Sequence, residues 1–323
     1  MPFFEPVRLA LSHHPVGVHD LGPSASESEL AAVEQRISLL PSDYREFLTT
    51  WNGGSLFHES VVLLPVDQVR RVDGKSLLIG ECSDGLLWLD SQGRVLVVDE
   101  DAPDPLIAGT SFATWIDVVV GREALLLDRD GEFRDVFDEE DGVLRVEVRR
   151  KRAMLGRKRD RGASLYPLEL AELALEEGDD QKAQMLLSEA VQSDPHAGPA
   201  WELLAALYRQ AGDSQQAHDA CLRAAAATPS GTLRAMRLLE AAELSPLHAA
   251  ALVESAVAAA PEMGARLLEQ VRERLTDHDT DEAKRLLSKL RLIASHQRLP
   301  LSTEAEVERV ERDLRSRDAL RVL

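Results

Sequence analysis

Histidines, cysteines and clustered carboxylates are the side chains of this sequence that could hold a metal or act as nucleophiles. The nine histidines are scattered apart from the pair His13-His14, and Cys82 lies far from Cys221. No His-x-x-x-His or Cys-x-x-Cys arrangement supplies the ligand spacing of a zinc site. The sequence therefore predicts no metal and no cofactor, and we interpret Cys82, which follows an apolar run, as a small core residue.

Two glycine-containing stretches start like ion-binding or phosphate-binding loops. The run DRDG, Asp128 to Gly131, opens like a calcium loop, but its glycine comes too early and Val136 to Asp138 do not continue the ligand pattern. Gly53-Gly54 lacks the lysine and the spacing of a phosphate loop. Because catalysis needs an activated nucleophile, base or metal in a cleft, we predict a turn at Asp128 and a protein that is not an enzyme.

The net charge limits the classes of partner that the protein can bind. The 323 residues carry 37 basic and 56 acidic side chains, a net charge of -19. Nucleic acids and anionic membrane surfaces repel such a polyanion, so a basic protein, such as a basic toxin domain, fits better. The predicted partner-binding positions are carboxylates in two acidic stretches: Glu100, Asp101, Asp104, Asp138, Glu139, Glu140 and Asp141. Alternatively these are solvated loop charges.

A basic run interrupts the acidic chain. Residues 1 to 148 hold 28 acidic and 11 basic side chains, whereas Arg149 to Gly162 hold 8 basic and 1 acidic. The run lacks the interleaved aromatics that would stack on bases, although it could bind nucleic acid electrostatically or pair with an acidic neighbour. We predict a solvated linker, or an extension of the last strand, between a first domain (1–148) and a second (163–323).

The second domain is periodic. Small residues and turn formers recur every 34 residues, as Gly178 and Gly212, Ala183 and Ala217, Ala190 and Ala224, and Pro195 and Pro229. Alanines let two antiparallel helices approach closely, Gly-Asp makes the turn between them, and proline cannot continue the second helix. This period and these residues resemble the tetratricopeptide (TPR) repeat.

The first helix of each repeat carries large and small residues at helical spacing. Trp201, Leu204, Ala205 and Tyr208 match the family's pattern, whereas the preceding unit has Pro167 in place of the opening aromatic. A shorter third unit spans residues 233–261 and a degenerate fourth follows. The polar run STEAEVERVERDLRSRDAL predicts a capping helix. The expected architecture is an all-α solenoid.

Stacked repeats leave a groove lined by the first helices. The resemblance to the family places these residues in it: Leu168, Glu172, Leu175, Glu176, Glu202, Arg209, Gln210, Met236 and Glu240. Such a groove is acidic and partly apolar, and it lacks the lysines and asparagines that clamp a C-terminal carboxylate in chaperone-binding relatives. It is predicted to be a second interaction surface, or a solvated surface with no dedicated ligand.

The first domain combines helices and short strands. Tyr44, Phe47, Leu48 and Trp51 fall on one stripe of a helix, which Asn52-Gly53-Gly54 can end in a left-handed conformation. We expect these aromatics to seal the helix against a sheet. Apolar runs separated by turn residues predict strands: SVVLLPV, SLLIG, GLLWLD, RVLVVDE, EALLLD and VLRVEV. This order predicts an α+β domain with a mainly antiparallel sheet and flanking helices.

Three stretches resemble the SUKH superfamily of Smi/Knr type: LPSDYREFLTTWNGG, LLIGECSDGLLWLD and IAGTSFATWIDVVVG, in that order. The resemblance spans roughly residues 25 to 121. It implies a bacterial immunity protein that binds and silences a toxin domain, since most relatives do so, whereas fungal relatives regulate cell-wall synthesis.

Two functions therefore stay open. The first is a non-catalytic immunity-type protein that neutralises a toxin, with the repeats as a second surface. The second is a cytoplasmic scaffold or regulatory adaptor that acts mainly through the TPR groove. Neither a secretory signal nor an apolar run of membrane-spanning length is present, and two distant cysteines fit a reducing compartment. We expect a cytoplasmic protein.

Overall fold

The structure is a computed structural model that describes residues 4–37, 40–72, 74–99, 104–138, 142–229, 231–276, 279–296, 307–310, 312 and 314. The chain divides into two compact units, Met1–Ala200 and Trp201–Leu323. The division falls inside the repeats and leaves the first repeat with the N-terminal domain. Domain boundaries at residues 148 and 163 stay a prediction.

Among the described residues, eight strands and four helices build the N-terminal domain. The strands are β1 (Asp20–Leu21), β2 (Gly54–Leu56), β3 (Val61–Leu63), β4 (Arg70–Arg71), β5 (Leu77–Cys82), β6 (Gly85–Leu89), β7 (Val95–Val98) and β8 (Leu106–Gly109). The helices are α1 (Glu5–Leu11), α2 (Glu27–Ile37), α3 (Ser42–Thr50) and α4 (Phe112–Glu123), and a short 3-10 turn covers Val66–Gln68.

The strands form one antiparallel sheet, which confirms the predicted α+β class. Their order is β1, β2, β3, β5, β6, β7, β8, with β4 paired to β5. Hairpin partners such as Leu86 and Val98, or Leu89 and Val95, fix the register of β6 on β7. All four residues of β7 are buried, and β7 is paired on both edges, with β6 and with β8.

Helix α3 packs as its stripe predicts. Tyr44, Phe47 and Leu48 are at most 1% exposed, and the Phe112 ring lies 4.8 Å from that of Tyr44 and 5.0 Å from that of Phe47. The helix ends at Thr50 and Trp51 is extended, so the helix stops before the predicted left-handed residues rather than at them. Gly53 and Gly54 have positive φ, and a Cβ on Gly54 would lie 2.2 Å from Asp20 O. Only glycine fits there.

Two predicted strands are absent from the described residues. EALLLD is the end of α4 and a turn, and its one ladder contact is an isolated bridge from Leu127 to Phe133. VLRVEV contributes a bridge from Leu144 to Phe137 and then enters helix α5 (Val146–Arg159). The β-branched Val146 and Val148 favour a strand locally, but ion pairs and packing along α5 decide for a helix.

Helix α5 replaces the predicted solvated linker, and its connection to the repeats is buried in the N-terminal core. Ala163, Leu165 and Tyr166 belong to the same apolar cluster as the sheet and α4. The Tyr166 hydroxyl donates to Ala108 O (2.6 Å), and the Ser164 hydroxyl accepts from Ile107 N (3.1 Å). Both bonds reach β8. The Asp160 carboxylate accepts from Thr110 N (2.7 Å) just beyond it.

Eight further helices are described after α5: α6 (Leu165–Glu176), α7 (Asp180–Ser193), α8 (Gly198–Gln210), α9 (Ser214–Ala227), α10 (Gly231–Leu244), α11 (Ala249–Ala259), α12 (Met263–Thr276) and α13 (Thr280–His296). They confirm the predicted helical-repeat solenoid. Proline follows two residues after the end of α7, α9 and α11, as the period requires.

The repeat positions pack for the predicted reasons. The alanines at the recurring sites are fully buried: Ala183, Ala190, Ala217, Ala224, Ala256 and Ala283 are all 0% exposed. Gly178 and Gly212 adopt φ of 76° and 77°. The following Asp179 and Asp213 then cap the next helices by accepting from Lys182 N and Gln216 N.

Most of the predicted capping helix lies outside the described residues. Residues 307–310 are helical. Val307, Val310 and Leu314 are buried in the apolar cluster of the second unit.

Candidate protein-binding surfaces

The predicted acidic contacts of the N-terminal domain separate into three groups. Glu100 and Asp101, and also Glu139, Glu140 and Asp141, lie outside the described residues. Asp104 is 3% exposed, so its carboxylate does not lie on the surface. Asp138 is exposed, on a turn in which its N–H donates to Val143 O (2.8 Å).

The first repeat places its predicted groove residues unequally. Leu168 is 3% exposed and therefore does not line an open groove. Leu175 is half-buried, Glu172 is exposed, and Glu176 accepts from Arg149 at 2.9 Å. This face of α6 is thus acidic at Glu172, while the charge of Glu176 is partly neutralised within the unit.

In the second unit, the predicted carboxylates pair with cations on other helices of the same unit. Glu202 accepts from Arg237 (2.8 Å), which is 2% exposed. Arg209 lies 3.8 Å from Glu240. Met236 is half-buried and Gln210 is exposed. Glu202 thus compensates the charge of the buried Arg237, and removing Glu202 would leave that charge without this carboxylate.

Glu240 is the centre of a charge cluster. Its carboxylate accepts from Lys289 (2.7 Å) and Arg285 (2.8 Å), and Lys289 is 1% exposed. Burial alone would raise the pKa of Glu240, but the charges and hydrogen bonds of Lys289 and Arg285 hold it below its usual range. Glu240 therefore compensates a buried ammonium group.

The arginines of α5 are also used internally. Their partners lie on α4, α6 and α7, in the ion pairs Arg149–Glu176, Arg150–Glu177, Arg152–Glu123, Arg157–Glu189 and Arg159–Asp117. Arg152 and Glu123 are each 8% exposed at the side chain. The basic run thus joins the N-terminal domain to the first repeat. This agrees with the alternative, stated from the sequence, that the run pairs with an acidic neighbour.

A cavity of about 280 Å³ lies beside this helix. Its charged lining combines three arginines with three carboxylates, and Val143, Leu144 and Leu173 complete the wall. The charged residues are Asp84, Arg122, Arg149, Arg152, Glu169 and Glu172. Among these lining residues there is no histidine, cysteine, serine or lysine, and the titratable groups of the described wall are carboxylates and guanidinium groups.

Cys82, Cys221 and Asp128 are the side chains that the sequence offered as possible nucleophiles or metal ligands, and each is held in an unreactive environment. Burial raises the pKa of Cys82 to about 12 and that of Cys221 to about 11, so both thiols stay protonated at neutral pH. Asp128 accepts through Oδ1 from the N–H groups of Asp130 and Glu132, which is a turn. Within the described ranges, no group of three or more His, Cys, Asp or Glu could hold a metal ion.

Sequence reasoning missed Asp160, Ser164 and Tyr166, which anchor the first repeat. A signal existed: Tyr166 is an aromatic residue one position before Pro167, where the repeat pattern expects one. Its ring also needs Gly156, since a Cβ there would lie 2.4 Å from Tyr166 Cδ1. Such a pairing of glycine with a ring is readable only once the helices are placed.

Known proteins resemble parts of this chain. A scan of family models matches residues 24–117 to the SMI1 / KNR4 family (SUKH-1). None of the curated proteins matches the chain.

No helix among the described residues has the length and apolar character that crossing a membrane requires.

Two solved structures show a weaker likeness. PilF of Pseudomonas aeruginosa is 15% identical with a TM-score of 0.34, over 54% of this chain and 78% of that one. The Cut9–Hcn1 hetero-tetramer of APC/C is 17% identical with a TM-score of 0.31, over 64% of this chain and 37% of that one. Values this low bear on neither partner nor function.

The family match covers the helices and strands from α2 to α4, and the 34-residue helical hairpins follow it. Residues 24–117 are therefore a SUKH-1 domain of the SMI1/KNR4 family, followed by a TPR-like helical region.

Proposed function

We propose that this protein is a non-catalytic immunity-type protein of the bacterial cytoplasm, which binds a toxin domain and neutralises it. The observation that carries the proposal is the SUKH-1 match over residues 24–117, because this domain is known as immunity-protein-like. The TPR-like helices add a second surface for protein contacts.

Charge supports this function. Toxin domains that act on nucleic acids present basic sites, and an acidic inhibitor gains both encounter rate and specificity against them. The N-terminal 148 residues supply 28 of the 56 acidic side chains and only 11 basic ones. Asp138, together with Glu100, Asp101, Glu139, Glu140 and Asp141, remains the proposed set of contacts there.

The contacts within the repeats favour the N-terminal domain as the principal surface. Glu202 and Glu240, which the adaptor hypothesis would assign to the TPR groove, accept from the buried Arg237 and Lys289. A ligand would have to compete with these pairs. We therefore give the repeats the secondary role, with Glu172 and Gln210 as exposed contacts.

Co-expression tests the proposal. Each toxin domain encoded in the source genome is expressed in a host with the full chain, with residues 1–200, or with neither. We expect one toxin to be neutralised and to co-purify in a stoichiometric complex. The shorter form ends after the first compact unit, so that the Tyr166 anchor is kept. Failure of the full chain to rescue any toxin, with no complex, contradicts the function.

A further inference from the structure

Two phenylalanines are exposed on the segment between α4 and α5. Phe133 is 45% exposed and Phe137 is 36% exposed, whereas the other phenylalanines that the structure describes are at most 2% exposed. Their rings pack edge to face with centroids 5.9 Å apart, and the His58 ring lies 5.6 Å from Phe133. We call His58, Phe133 and Phe137 the aromatic patch.

The patch is held in place by backbone contacts. Phe133 bridges to Leu127 and Phe137 bridges to Leu144, while His58 Nε2 donates to Gly131 O at 2.7 Å. Two exposed rings are therefore presented in a fixed arrangement. A partner that covers them gains the burial of both without ordering the segment first.

Acidic residues flank Phe133 and Phe137 along the chain. Residues 128–141 contain eight acidic and two basic side chains, a net charge of -6. Among the described residues of this segment, Asp130, Glu132, Asp135 and Asp138 are exposed. The composition is that of an interface, with an aromatic centre and a charged rim that is mainly acidic and also holds the exposed Arg129 and Arg134.

The acidic charge around the aromatic patch indicates which kind of partner can bind it. A second copy of this chain would bring like charges together, and a nucleic acid or an anionic membrane would be repelled. A protein with Arg or Lys around an apolar centre satisfies both parts, because its cations can face the carboxylates or stack on the phenylalanine rings.

We propose that the aromatic patch is the anchor of the partner interface and receives an apolar segment flanked by arginine or lysine side chains. The inference deepens the proposed function and rests on it in naming the partner as a toxin domain. Phe133 and Phe137 lie outside the family match of residues 24–117, whereas His58 lies within it.

Fluorine NMR of the full chain tests the site without the toxin. The seven phenylalanines are replaced by fluorophenylalanine, and the resonances are assigned with single Phe→Leu variants. The probes are short synthetic peptides of alternating Arg and Leu, Glu and Leu, or Arg and Gly. We expect only the Arg-Leu peptide to shift the resonances of Phe133 and Phe137, while those of Phe47 and Phe112 stay fixed.

Variants then measure the contribution of each part. The double variant Phe133→Ala/Phe137→Ala should weaken the Arg-Leu peptide by about tenfold or more, and Asp130→Asn/Asp138→Asn should weaken it and flatten its salt dependence. Met185→Ala removes a 65% exposed apolar side chain elsewhere in the same unit. It should leave the affinity for the Arg-Leu peptide unchanged. Unchanged Phe47 and Phe112 resonances show that each variant is folded.

Three results would overturn the inference: equal shifts with the Glu-Leu peptide, shifts confined to other phenylalanines, or concentration-dependent shifts of Phe133 and Phe137 without peptide, which would make a second copy the occupant. Toxin rescue is scored separately. If the Arg-Leu peptide binds the patch but no toxin is neutralised, the binding site stands and the toxin function is rejected. If the Phe133→Ala/Phe137→Ala variant still neutralises a toxin, the toxin function stands and the patch is rejected as its anchor.

Discussion

Arg122 of α4 donates to Glu169 of α6 at 2.8 Å, and the two side chains are 8% and 23% exposed. Arg122 also lies over the ring of Tyr166, 5.1 Å from its centre. Burial raises the pKa of Glu169, and the guanidinium, which is always charged, opposes that rise. The N-terminal domain and the first repeat are thus joined by a buried charge pair and by the contact of Tyr166.

Removing the carboxylate from this pair should destabilise the first unit. Glu169→Ala leaves Arg122 buried without its partner, and such changes cost about 3–5 kcal/mol of the free energy of unfolding. Glu169→Gln keeps an acceptor and should cost less. Chemical denaturation of the full chain measures both.

Glu172→Ala is the matched control. It removes an exposed carboxylate from the same helix and the same cavity wall, so the expected change is within about 0.5 kcal/mol. Equal effects of Glu169→Ala and Glu172→Ala would show that the junction does not depend on the Arg122 pair.

Gly53 and Gly74 separate backbone strain from crowding. Their φ angles are 75° and 77°, but a Cβ on Gly53 would lie 2.6 Å from Pro65 N, whereas nothing lies within 4 Å of one on Gly74. Gly74→Ala should cost about 1 kcal/mol for its left-handed backbone. Gly53→Ala should cost at least about 2 kcal/mol more, because backbone atoms must also move. Thermal unfolding compares them, and equal costs would contradict the crowding.

Local pattern predicted those parts of the fold that local forces decide. The stripe of Tyr44, Phe47 and Leu48 became the buried face of α3, and the Gly-Asp turns became a left-handed glycine followed by a helix cap. In each case the signal and its cause lie within one or two helical turns, so periodicity reports the structure directly.

Helix α5 and its anchors could not be predicted in this way. Its arginines present no apolar stripe, and their carboxylate partners, such as Glu123 and Glu189, are 29 and 32 residues away. Tyr166 bonds to Ala108, 58 residues away. The exposure of Phe133 and Phe137 likewise depends on what covers a segment in three dimensions, and the sequence pattern singles out this segment only for its turn at Asp128 and its carboxylates.

Acid should weaken the first unit through His19. Its Nδ1 accepts from Phe57 N (3.2 Å), and its ring lies 4.6 Å from that of Phe57. Burial, followed by the charges of His14 and His58, lowers the pKa of His19 to about 4 from an unfolded value near 6.5.

Between these two pH values the unfolded chain binds a proton at His19 that the folded chain does not. The free energy of unfolding therefore falls as the pH drops from 6.5 toward 4. His19→Asn, which has no titrating ring, should show a shallower fall over that range in denaturation experiments. An identical slope in the variant would exclude His19 as the cause.

Glu240 should control the acid stability of the second unit in a different pH range. Its folded pKa is lowered by Lys289 and Arg285 against the effect of burial, so its contribution is complete above the unfolded value of 4.5 and is lost as the pH falls through the folded value. Glu240→Ala leaves Lys289, which is 1% exposed, without its carboxylate, and about 3 kcal/mol of the free energy of unfolding should be lost at neutral pH.

Glu243→Ala removes an exposed carboxylate from the same helix and should change the free energy of unfolding by less than about 0.5 kcal/mol. If Glu240→Ala unfolds no earlier than Glu243→Ala in denaturant, Glu240 is available to a ligand after all, and the repeats regain the groove that the sequence predicts.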